Sequence, residues 1–67
     1  MFMQFETMRG EKIIVSVSKI FYVSEGKRGA TVVLDDGTPI TVSESFEQVA
    51  MRLKRRELLL FPLNESM

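Results

Sequence analysis

The sequence predicts an α+β fold, a small antiparallel sheet of four to five strands with one C-terminal helix packed on it. Three observations predict it. Residues 12–18 alternate apolar and polar side chains. Two strand-like runs flank Asp35-Asp36-Gly37. Residues 45–53 carry an amphipathic stripe behind a helix cap.

The elements follow in order. Phe2, Met3 and Phe5, with Met8, form a short apolar first strand. Arg9-Gly10-Glu11 is a turn, because glycine tolerates a positive φ. From Lys12 to Ser18 the odd positions Ile13, Val15 and Val17 are apolar and the even ones polar, Ile14 excepted, which marks a half-buried strand. Ile20-Phe21-Tyr22-Val23 is apolar on both faces, so it reads as a central strand or as a strand continuing across a bulge. Ser24 to Gly29 is a polar loop with two glycines and the cations Lys27 and Arg28.

Pattern selects the next turn. A two-residue loop at Asp36-Gly37 sets Val33 against Ile40. A three-residue loop, Asp35 to Gly37, pairs Leu34 with Thr38, Val32 with Ile40 and Ala30 with Val42, and gathers the apolar residues on one face. It also puts Gly37 at the left-handed position of a type I turn with a G1 bulge. The three-residue loop is the better reading. Pro39 lacks an amide donor, which places its strand at a sheet edge or at an unpaired position.

Ser45 with Gln48 fits a capping box, with Ser43 as a rival cap. Glu44 and Glu47 complement the positive end of the helix dipole, and Arg52, Lys54, Arg55 and Arg56 the negative end. Phe46, Val49, Ala50 and Leu53 supply the stripe that covers the sheet. Beyond Glu57, the run Leu58-Leu59-Leu60-Phe61-Pro62-Leu63 reads as ordinary core, as a last strand, or as an arm laid on a second subunit.

Composition narrows the function. A 67-residue chain makes one domain with a small core. Disulfides, a metal or a partner usually complete such cores. The sequence has no cysteine and no histidine, so disulfides are excluded and a zinc or copper site is not expected. The same absences remove the commonest general base and the best nucleophile. No cofactor, metal, catalytic residue or small-molecule substrate is therefore expected. Nine cations balance nine acids, so no global field draws nucleic acid or membrane. No apolar run approaches a membrane span, and the first residues lack the pattern of a secretory signal, which reads as a cytoplasmic chain without membrane insertion.

Two features remain as candidates for function. The apolar segment with Leu58, Leu59, Leu60, Phe61 and Leu63 is the expected partner interface, formed with a second copy or with another protein. Lys27, Arg28, Arg52, Arg55 and Arg56 are the alternative, a set of phosphate contacts for nucleic acid, with Tyr22 nearby. The plain reading of the same cations is a solvated helix end. The five methionines read as gap-filling, and turn chemistry accounts for Asp35 and Asp36 without calcium.

These residues also carry a family likeness. The order Gly10, Ile20-Phe21-Tyr22-Val23, Thr31 to Gly37, then Val42-Ser43-Glu44-Ser45 resembles the small flagellar proteins of the FlbD/SwrD type. The chain departs from them in its SEGKRGA loop and its LLLFPL tail. Ile20, Tyr22, Gly37, Val42, Ser45, Phe46, Val49 and Leu53 also look like the first half of LytTR-type DNA-binding domains, whose basic strand is missing after Leu53. Both likenesses imply an antiparallel sheet followed by a helix, and neither implies a catalytic residue. The expected function is a non-catalytic interaction or regulatory module of a bacterium or phage, dimeric or bound to a larger protein. A nucleic-acid-binding transcriptional regulator is the alternative.

Overall fold

The computed structural model describes the backbone of residues 1–60 and the side chains of residues 1–55. Five strands precede one helix: β1 (Phe2–Glu6), β2 (Lys12–Ser16), β3 (Ile20–Glu25), β4 (Ala30–Leu34), β5 (Pro39–Thr41) and α1 (Phe46–Leu60). A 3-10 turn, Val17–Lys19, joins β2 to β3. The fold is α+β, with antiparallel pairing throughout.

The strands form two sheets rather than the single sheet expected, β1-β2 and β3-β4-β5. They meet at the Thr7–Val42 bridge, where Ser43 N–H donates to the Glu6 carbonyl at 2.9 Å. The junction stays short because β1 turns away at Thr7. There the Thr7 N–H donates to the Glu11 carbonyl and the Thr7 carbonyl accepts from the Gly10 N–H. On the other side, the chain leaves β5 for the helix.

Alternation along β1 and β2 buries Met3, Phe5 and Val15 and leaves Phe2 and Ile14 outside. The second strand is shorter than its pattern. Val17 and Ser18 leave it for the 3-10 turn, where the Ser16 and Ser18 hydroxyls lie 3.1 Å apart. Short hydroxyl side chains of this kind compete with ladder bonding. In β3 the register shifts between Ile20 and Tyr22, which makes Phe21 a bulged residue, while the 3-10 turn before it, not a bulge, separates β2 from β3.

The hairpin from β4 to β5 has the three-residue loop. Val32 pairs with Ile40, Leu34 N–H donates to the Thr38 carbonyl at 2.9 Å, and Gly37 sits at φ +92°. Only glycine adopts that conformation freely. Pro39 lies opposite Val33, between the hydrogen-bonded positions 32 and 34, so its missing donor falls on the outer side of an edge strand.

The helix starts as a capping box. Gln48 N–H donates to Ser45 Oγ at 3.1 Å and Ser45 N–H to Gln48 Oε1 at 3.0 Å. Val49 is fully buried with Val32, Val42 and Ala30, while Phe46 and Leu53 pack on the rim of that core. The backbone of Leu58, Leu59 and Leu60 continues α1, which corrects the expectation of a last strand there. These residues extend the helix because nothing before Pro62 interrupts it. Phe61 and Leu63 of the expected interface lie outside the described residues. Among the described residues, no helix is long and apolar enough to cross a membrane.

Candidate interaction surface

Strand β3 is the outer strand of its sheet, with β4 its only strand partner among the described residues. Hydrogen bonding defines which backbone groups it offers. On β4, residues 30 and 34 bond toward β5, so residues 31 and 33 bond toward β3, to Ser24 and Tyr22. The N–H and C=O groups of Val23 and Glu25 then face the open edge.

The side chains beside that edge are apolar and uncovered. Phe21 is 73% exposed and Tyr22 51% exposed, and their rings meet edge to face with centroids 5.6 Å apart. The bulge puts Phe21 there, because an extra residue turns its side chain out of the alternation. Alongside runs an open groove of about 420 Å³ between β3 and α1, with Ile20, Phe46, Ala50 and Leu53 in its walls and Lys54 at its rim. Apolar patches rimmed by polar groups are a common form of protein-binding surface. A second apolar area lies on the outer face of β1-β2, where Phe2 and Ile14 are each 65% exposed.

The other free edges are less inviting. Strand β5 carries Pro39 and is capped by the Thr7–Val42 bridge, and β2 starts at Lys12. Prolines and lysines of this kind discourage strand addition.

The predicted cations do not act as one group. Arg52 is held by the fold: Nη1 donates to Glu44 Oε1, Nη2 donates to the Gln4 carbonyl at 2.6 Å, and the guanidinium stands 4.9 Å from the Phe5 ring centroid. A phosphate contact by Arg52 requires breaking this set. Arg55 is exposed and touches the Met51 sulfur at 3.6 Å. Arg56 lies outside the described side chains. Lys27 and Arg28 are exposed on the loop before β4.

That loop lies near the start of α1, since Ala30 N–H donates to the Glu44 carbonyl at 2.8 Å. Arg55 is about ten residues further on, or roughly 15 Å along the helix axis. The backbone thus sets the loop cations beside the start of α1 and Arg55 well down its C-terminal half.

The apolar run Ile20 to Val23 suggested a central strand, but β3 is an outer strand, and the exposure of Phe21 beside Tyr22 was not expected. Compared with protein-family models, curated proteins and solved structures, the chain matches none.

Proposed function

We propose that the protein is a small non-catalytic interaction module that binds a protein segment along the β3 edge, with the β3–α1 groove taking the segment's apolar side chains. The open edge with Phe21 and Tyr22 exposed beside the groove carries this reading. Main-chain bonding from Val23 and Glu25 supplies affinity by strand addition, and the aromatic pair and groove supply selectivity. The engagement of Arg52 with Glu44 and Gln4 weighs against nucleic-acid binding.

The test compares the wild-type chain with Phe21→Ser/Tyr22→Ser. Both positions are exposed, so the variant keeps its fold, checked by its melting curve. Each protein is immobilised and offered an extract of the host, and self-association is measured in parallel. Binding to self or to a host protein that the variant loses supports the module. Equal retention by both proteins, with neither self-associating, refutes it.

A further inference from the structure

The groove beside β3 carries a single charge. Ile20 and Val23 lie opposite Leu34 and Val32, so they share the face that packs on the core, and they form the β3 wall of the groove. Phe46, Ala50 and Leu53 form the helix wall. Among the described residues, Lys54 is the one charged side chain that lines it, and no described side chain forms an ion pair with it. Glu47 lies off this groove, beside Met51, and Glu25 stands at the end of β3, paired with Ala30 near the start of α1. Lys54 is about 12 Å further along the helix axis than Phe46.

We infer that the segment bound along β3 is an acidic apolar strand of another protein, with two apolar residues at alternate positions and an aspartate or glutamate at the next alternate position, facing Lys54. The inference rests on the interaction surface proposed above and names its partner's chemistry. A carboxylate there complements the charge of Lys54, whereas a basic segment meets it with repulsion. A second copy does not supply this segment through β3, because its own Ile20 and Val23 are already packed on its core.

Size sets the pattern. A cavity of about 150 Å³ holds a benzene ring, so the groove of about 420 Å³ takes about two such side chains and keeps an open side toward solvent. Ile20 to Val23 spans roughly 10 Å, and side chains on one face of a strand recur about every 7 Å, so two successive ones enter it. The next on that face reaches the rim, where Lys54 stands.

Selection from a random library of displayed peptides about ten residues long, enough for one strand, tests this on the immobilised full chain. Peptides held by the wild type and lost by Phe21→Ser/Tyr22→Ser are sequenced. They should carry the two alternate apolar residues and the acid at the next alternate position. Lys54→Glu should weaken such a peptide about fivefold at low salt, and changing the peptide's acid to lysine should restore its binding to that variant. Lys54 is exposed, so Lys54→Glu keeps the fold, checked by its melting curve. Edge-dependent peptides that are neutral or basic, or whose apolar residues recur at helical spacing, overturn the inference and leave the module standing. A wild type that dimerises by sedimentation, with the dimer lost in the aromatic variant, does the same, because a second copy then occupies the edge. A library that yields no edge-dependent peptide also overturns the inference, and the module then stands or falls on the host extract alone.

Discussion

Replacing Arg52 by alanine separates a structural cation from a functional one. Its guanidinium ties β1, the segment before the helix and α1 together. A charged hydrogen bond contributes about 1.5–3 kcal/mol when well shielded. The Gln4 carbonyl bond belongs near the lower end, because the Arg52 side chain is 31% exposed. The Glu44 pair, similarly exposed, adds about 0.5 kcal/mol. The stacking over Phe5 adds about 0.5 kcal/mol. The sum is roughly 2.5 kcal/mol, against about 3–10 kcal/mol of total stability for a chain of this size.

A urea titration of Arg52→Ala should lower the midpoint with an unchanged slope. The melting temperature should fall by about 10–20 °C. Arg52→Lys keeps the charge but loses the fork and should recover less than half of the loss. Arg55→Ala serves as the control and should stay within about 0.5 kcal/mol of wild type. If Arg52→Ala and Arg55→Ala behave alike, the tie is not formed in solution, and Arg52 returns to the free cations.

Val49→Ala should cost about 2 kcal/mol in the same titration. Two lost carbon groups and a residual cavity outweigh the helix preference of alanine. Gly29→Ala should destabilise by about 3 kcal/mol, because a Cβ there collides with the backbone carbonyl oxygen of Val42 and the strand must move; an unchanged midpoint would contradict that packing. By NMR titration, Asp36 should protonate below its ordinary value, chiefly because the Thr38 backbone N–H donates to its carboxylate. A depressed folded value means that this stabilisation is present above the unfolded value and is lost as pH falls through the folded one, so acid below about pH 4 loosens the turn. Titrated with duplex DNA at low salt, the chain should show no steeply salt-dependent binding; binding that weakens on Arg55→Ala would favour the regulator instead.

The local devices were legible because each depends on neighbouring residues. Gly37 needs only its turn, Ser45 and Gln48 need only each other, and the alternation of Ile13 and Val15 needs only the pleat. The pairing of Val32 with Ile40 followed from the face it makes apolar. Features that depend on distant contacts were not legible. The split into two sheets arises where Thr7 spends its backbone bonds on its own turn, which no pattern in β1 announces. The role of Arg52 depends on Gln4, 48 residues away. The exposure of Phe21 depends on a one-residue register shift in β3, and a period of two cannot reveal such a shift in a run that is apolar throughout.

The distribution of large side chains among the described residues argues for a further apolar surface that covers them. Valine, alanine and methionine fill most of the buried core, and Phe5 is the one fully buried aromatic among the described residues. Phe2, Phe21 and Tyr22 are each more than half exposed, and Phe46 is only half-buried. A folded chain gains most by burying its largest apolar groups first, since an aromatic ring withdraws the most area per residue ordered. Here the larger groups stand outside while smaller ones fill the interior. Room is not the obstacle, because the groove beside Phe21 is apolar and open. The bulge holds Phe21 out of its own sheet, so burial of that ring requires a surface outside the described residues.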